Sequence, residues 1–200
     1  GLVVKTNIMS NAIMDFEQIE KRMKEMLDSY PDRKCSVYLL HGDLTAGQMT
    51  GLYNHEKIKG MINIAHGEGF GLPMFEATRE GLPVTTIGWS GQVDYLHHDG
   101  KDYYNKVDYT LRPIQPEAVW PGVLEKECMW AHADQGSYKM ALRKAYKNHD
   151  EMLKLAETAQ DIVDSKFQDE VLYKLFVDNI LGFDSSIIDV EEDDTVLEFE

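Results

Sequence analysis

Residues 61–87 read MINIAHGEGFGLPMFEATREGLPVTTI. The run from Met61 to Ala65 is short, apolar and closed by His66-Gly67, as a buried strand would be. Pro73 to Arg79 predicts a helix, with Pro73 in its first turn, where its missing N–H costs nothing. After Gly81, the β-branched run Pro83-Val84-Thr85-Thr86-Ile87 predicts the next strand. Strand, glycine-rich loop, helix and strand in 27 residues is a crossover unit, so the two strands run parallel.

The same alternation extends outward. Upstream, Leu2-Val3-Val4 is a short β-branched run that ends at Lys5-Thr6-Asn7. Residues 15–28 place Phe16, Ile19, Met23, Met26 and Leu27 at helical spacing, with Asp15 as the N-cap. Ser36 to Leu40 predicts a strand ending at His41-Gly42, and Thr45 to about Tyr53 a short helix. Downstream, 102–112 predicts an edge strand, and Gln135 to about Leu181 two or three helices. The fold class expected is α/β: a Rossmann-like parallel sheet with helices on both faces and a helical C-terminal segment. Such sheets bind ligands beyond the carboxyl ends of their strands, where Lys5-Thr6-Asn7, His41-Gly42 and His66-Gly67 would line one pocket.

Composition narrows the functions. The chain has 200 residues, 20 Lys and Arg against 35 Asp and Glu, and a formal net charge of -15. That balance argues against phosphate-driven nucleic-acid binding and against an anionic membrane surface. Eight of the acids fall between Phe183 and Glu200, with no basic residue among them, leaving 27 acidic against 20 basic residues before. The expected organisation is therefore one domain over 1–182 and an acidic, solvated tail over 183–200. Cys35 and Cys128 are too few and too far apart for a disulfide framework or a zinc site. His97-His98-Asp99 lacks supporting ligands and reads as a solvated loop, so no metal is expected. The chain opens on Gly rather than Met and enters an apolar run at once, as a piece of a longer protein would.

The loop before the 73–79 helix carries the chemistry. Gly67, Gly69 and Gly71 allow positive φ and close approach of a ligand to the backbone. The helix behind offers unpaired N–H groups and its positive dipole end, a seat for a phosphate. Glu68 lies in the loop and Glu76 about one turn into the helix. A helix of eight residues spans roughly 12 Å. Hydrolase carboxylate pairs sit about 5–9.5 Å apart, so two separate hydroxyl contacts fit better than one acid/base dyad. Trp89, Trp120 and Trp130 read as core or domain-contact residues.

The run EGFGLPMFEATREGLPVTT (68–86) and the later WSGQVDYL (89–96) resemble the donor-binding domain of retaining GT-B glycosyltransferases, group 1 or family 4. A weaker likeness runs from Leu2 to about Asn148. The resemblance implies that Glu68 contacts donor-sugar hydroxyls at the reacting centre and that Glu76 holds the ribose of the nucleotide. It implies that the backbone of Gly69, Phe70, Gly71 and Leu72, with His66 and Gly67 beside them, meets sugar and distal phosphate. It puts His41, Gly42 and Leu44 beside the base, and leaves Lys5 as a source of positive charge. Gly91 matches a turn of the family, whereas Asp94 stands where many relatives have Glu and receives no role.

The implied reaction is transfer of a sugar from a nucleoside diphosphate, with retention, to an unknown acceptor (saccharide, lipid or protein), needing no cofactor and no metal. The family's first strand–helix unit, with its Arg and Lys phosphate clamp, has no counterpart here, nor has the N-terminal acceptor-binding domain. A cytoplasmic enzyme, soluble or loosely attached to a membrane through that missing half, fits the family. Two alternatives differ in kind: a non-catalytic sugar-nucleotide binding or regulatory module, and an NAD-binding domain. The second needs its glycines after the first strand and an acid about 20 residues on, and these glycines follow a later strand.

Overall fold

The computed structural model describes residues 1–8 and 12–182; the expected acidic tail over 183–200 lies outside the described residues. The chain divides into two compact units, Gly1–Leu52 and Tyr53 onward.

In the first unit, β1 (Leu2–Thr6) pairs in parallel with β2 (Val37–His41), the register running from Leu2 opposite Val37 to Thr6 opposite His41. Their carboxyl ends therefore stand side by side, and Asn7 Nδ2 donates to Asp43 Oδ1 at 3.1 Å just beyond them. The crossover is α1 (Ile13–Asp28), and α2 (Ala46–Tyr53) follows β2. Helix α1 starts two residues before the expected cap: Ala12 is the N-cap and Asp15 sits in the first turn. Asp15 is drawn inward instead, accepting from the Ile8 N–H at 2.9 Å and lying 3.3 Å from His41 Nε2.

In the second unit, β3 (Met61–Asn63), β4 (Val84–Ile87) and β7 (Asn105–Val107) form a three-stranded parallel sheet in the order β3-β4-β7. All four residues of β4 are buried, so both faces of this central strand are covered. Side chains alternate along a strand, so Thr85 and Ile87 share one face. That face meets α5 (Gln135–Lys147): Ile87 packs with Val107, Ala131 and Ala141, and Asn105 Nδ2 donates to Thr85 Oγ1 at 3.0 Å and to the Ala141 carbonyl at 2.8 Å. Helix α3 (Leu72–Arg79) packs on β3 and β4, and α6 (His149–Lys166) packs on α3. This is the expected α/β architecture, with parallel pairing and helices against the sheet.

Three elements depart from expectation. Strand β3 is shorter because Asn63 Oδ1 accepts from the Ala65 N–H at 2.8 Å, turning the chain out of the sheet. The predicted single edge strand is two: β7, in the sheet, and β8 (Tyr109–Pro113), which leaves it to pair antiparallel with β9 (Met129–Ala133). Between α4 (Val93–Leu96) and β7, His97-His98 (β5) and Lys101-Asp102 (β6) form a small antiparallel hairpin, with Asp99 at its turn. His97 Nδ1 lies 2.6 Å from Asp102 Oδ1 and His98 Nδ1 2.8 Å from Lys166 Nζ, so this histidine pair is tied into ordinary surface contacts. The chain continues into α7 (Asp169–Leu181), and no described helix is long and apolar enough to cross a membrane.

Candidate functional site

The site grows from the junction of β3 and α3. Of the loop glycines, only Gly71 uses the left-handed region, at φ 82°, as the N-cap of α3. Its carbonyl accepts from the N–H groups of Met74 and Phe75 and from the buried Tyr95 hydroxyl at 2.9 Å. Tyr95 is thus a post under the loop. Burial, and then the nearby Glu68 charge, push its pKa well above the ordinary tyrosine value. Phe70 turns inward, its ring 5.0 Å from Phe75, 5.1 Å from Tyr95 and 5.9 Å from Phe167. Its side chain anchors the loop, and only its backbone remains for a ligand.

With the loop so held, the N–H groups of Gly69, Phe70, Gly71 and Leu72 have no protein acceptor among the described residues. Gly69 and Leu72 are exposed. Unpaired backbone donors at a helix N-terminus suit an anion.

Glu68 is fixed at both its backbone and its side chain. Its N–H donates to Ser90 Oγ at 3.0 Å, and its carbonyl accepts from Ser90 Oγ at 2.6 Å and from the Gly91 N–H at 3.1 Å. Its Oε1 accepts from Asn63 Nδ2 at 2.8 Å, so the strand-ending Asn63 also aims the carboxylate. Ser90 reaches it from a left-handed conformation, φ 79°. Gly91 is there because nothing larger fits: a Cβ would stand 2.0 Å from the Gly69 carbonyl oxygen. Glu76 is different. It is exposed on α3, and its Oε2 accepts from the Tyr53 hydroxyl at 3.3 Å. Burial first, then the charge and hydrogen bond of Glu76, raise the Tyr53 pKa to about 12. Each carboxylate keeps one oxygen free of protein partners among the described residues.

His66 stands two residues before Glu68, in the loop after β3. Its Nδ1 lies 2.9 Å from the Ala131 carbonyl, and its carbonyl accepts from the Ala131 N–H at 3.3 Å, tying the end of β3 to β9. The ring stacks on Trp130 at 4.9 Å and 9° and meets His132 at 4.3 Å. Trp130 is therefore a contact of His66, where the sequence suggested core or domain packing. Gly67 lies next to Ser90, which stands 3.5 Å from a built Cβ.

The structure thus brings His66, Gly67, Glu68, Gly69, Phe70, Gly71, Leu72 and Glu76 onto one strand–loop–helix segment. Lys5, His41, Gly42 and Leu44 belong to the first unit, at and beyond the ends of β1 and β2. Sequence reasoning missed Asn63, Ser90, Tyr53, Trp130 and His132. Only Ser90 carried a signal, its place before Gly91 in the resembling run. A cavity of about 560 Å³ lies elsewhere, toward the C-terminal end of α3, lined by Arg79, Asp164, Phe167 and Glu170 among others. Its acids and its distance from the free N–H groups along α3 make it a poor seat for a diphosphate. Among the described residues, no group of three or more His, Cys, Asp and Glu side chains is placed to hold a metal ion.

No family model and no curated protein matches the sequence. Solved structures do match. TarM is 15% identical over 88% of this chain and 34% of its own, with a TM-score of 0.50. The catalytic domain of starch synthase IV from Arabidopsis thaliana, bound to ADP and acarbose, is 14% identical over 80% of this chain and 34% of its own, with a TM-score of 0.45. The chain spans about a third of the length of each. At this identity the likeness to TarM is one of fold, and that fold is GT-B.

Proposed function

We propose that this chain is the donor half of a retaining GT-B glycosyltransferase of the group 1 or family 4 type. It binds a nucleoside-diphosphate sugar, and the enzyme transfers the sugar to an acceptor. The single observation that supports this most is the row of four unpaired N–H groups, Gly69 to Leu72, flanked by two anchored carboxylates. Free donors match phosphate oxygens, and free carboxylate oxygens match hydroxyls. A nucleotide sugar carries both. The GT-B fold shared with TarM agrees with this reading.

The chemistry follows from the groups present. As the bond between sugar and diphosphate breaks, negative charge grows on the leaving phosphate. The aligned N–H groups and the positive end of α3 stabilise that charge in place, without rearranging. Glu68, held by Asn63 and Ser90, binds hydroxyls of the sugar and fixes its orientation to the incoming acceptor. Glu76 takes the ribose hydroxyls. His66 and Gly67 border the sugar, while Lys5, His41, Gly42 and Leu44 are assigned to base and phosphate by resemblance. Residues 1–182 contribute as one donor-binding domain, and the reaction draws on no metal or cofactor. The enzyme works in the cytoplasm, and its acceptor-binding half is a separate domain.

Calorimetry with nucleoside diphosphates and their sugars tests this directly. Binding that weakens on Glu76→Gln is the expected result; unchanged affinity for the nucleoside diphosphate contradicts the assignment of Glu76. The alternative is a sugar-nucleotide binding or regulatory module without catalysis, which absence of the basic pair from the full-length gene would favour. Transfer activity in the enzyme that contains this chain separates the two.

A further inference from the structure

His66 has two ring nitrogens with different fates. Nδ1 lies 2.9 Å from the Ala131 carbonyl oxygen, which can only accept, so Nδ1 carries the proton. In a neutral imidazole, Nε2 is then a lone-pair acceptor. Nε2 has no hydrogen-bond partner among the described residues and is not among the buried unpaired atoms. The ring cannot readily turn over to exchange its nitrogens. Trp130 and His132 lie two apart on β9, hence on the same face, and both pack against it. Between them Ala131, fully buried, points into the core and fixes the strand. Burial, then His66 and Arg112 on β8, lower the His132 pKa and so disfavour a second positive charge beside His66.

We propose that Trp130 and His132 are positioning residues that hold His66 in its Nδ1-protonated form, so that Nε2 accepts a hydrogen bond from a hydroxyl of the donor sugar. This rests on the reading of the site given above and sharpens it. Phosphate oxygens are acceptors, and an acceptor cannot bind them. His66 therefore meets the sugar and not the diphosphate. Two acceptors, Glu68 and His66, stand two residues apart in the loop after β3, next in sequence to a row of donors. The diphosphate belongs to the donors, and the hydroxyl-rich ring belongs to the two acceptors.

The test uses the 200-residue chain labelled with ¹⁵N. Two-bond ¹⁵N–¹H spectra at pH 7.5 are expected to show His66 with a protonated Nδ1 and a bare Nε2, the signal being assigned by its loss in His66→Asn. A protonated Nε2, whether in the other tautomer or in the imidazolium, overturns the proposal. Trp130→Ala should give averaged tautomer shifts, and Trp130→Phe should restore the single form; shifts unmoved by Trp130→Ala overturn the positioning role.

Calorimetry then reads the contact, with UDP-glucose, ADP-glucose and GDP-mannose each against its parent diphosphate. His66→Asn keeps a donor for the Ala131 carbonyl but leaves nothing where Nε2 was. It should weaken the preferred sugar nucleotide about tenfold while leaving its parent diphosphate unchanged. His66→Gln, whose amide reaches the Nε2 position, should recover part of that loss. Equal weakening of both ligands, or none, overturns the contact while leaving the nucleotide site standing. A wild-type chain that binds none of the six ligands removes the site reading and this inference together.

Discussion

Glu68 and Glu76 are the same residue type eight positions apart, yet the fold treats them oppositely. Glu68 is half-buried, clamped at its N–H and carbonyl by Ser90 and Gly91 and at its carboxylate by Asn63. Glu76 is exposed and held through one 3.3 Å bond from Tyr53, its position otherwise given by the helix. A loop has no intrinsic geometry, so a loop acid needs partners to point anywhere. A helix supplies direction by itself, and one tether is enough. In the proposed function, Glu68 at the reacting centre would have to hold still to stabilise a transition state, whereas Glu76, gripping a ribose, would need only to be within reach.

The largest expected effect comes from breaking the clamp under Glu68. Gly91→Ala places a methyl 2.0 Å from the Gly69 carbonyl oxygen, a contact of backbone with backbone that no rotamer relieves. The loop must move, at a cost of about 1–3 kcal/mol or more in stability, and nucleotide binding should be lost; chemical denaturation and calorimetry check both. Next is Glu68→Ala, which should lower turnover by about 10²–10³ with little change in affinity for the nucleoside diphosphate. A transfer assay showing wild-type rates removes Glu68 from the mechanism.

Asn63→Ala should come third. It frees the Glu68 carboxylate and takes a partner from the Ala65 N–H, so turnover should fall about tenfold, following the loss of a hydrogen bond to a charged group. Tyr53→Phe should be mildest, weakening nucleotide binding a few-fold, since an exposed Glu76 regains water for the bond it loses. If it costs as much as Asn63→Ala, the contrast between the two acids fails. Tyr53 also has an alkaline signature. Its pKa is raised from 10.0 to about 12, so between those values the unfolded chain gives up a proton that the folded chain keeps. Stability should fall as pH rises through that window, and Tyr53→Phe should flatten part of the fall. Tyr95, Tyr104 and Tyr138 are raised as well and contribute to the rest of the fall.

The contrast also explains what could be read in advance. The β3–loop–α3 segment was legible because its signals are local: apolar run, glycines, Pro73, acids at fixed spacing. The parallel pairing followed from alternation of strand and helix. Asn63 and Ser90 were not legible as supports, because each acts through a turn conformation that many polar residues adopt. Strand β9 was missed for a different reason. Its residues Met129–Ala133 alternate weakly, and its partner β8 lies some twenty residues back across an irregular connection. Trp130 and His132 then meet His66 over a separation of more than sixty residues, which no periodicity reports. The glycines were read too generously: three were expected to exploit positive φ, and Gly71 alone of them does so, while Gly91 is required for space.

The β8–β9 ribbon meets the loop at His66, through the Ala131 backbone and the Trp130 and His132 rings, while its connecting segment between Pro113 and Met129 sits apart from the glycine loop in sequence and pairing. The wall that would face the carbohydrate is thus a module separate from the cradle of backbone donors. Under the proposed function, insertions, deletions or grafts in that connection would alter which sugar is admitted without rebuilding diphosphate recognition, which makes it the natural place to begin altering donor choice.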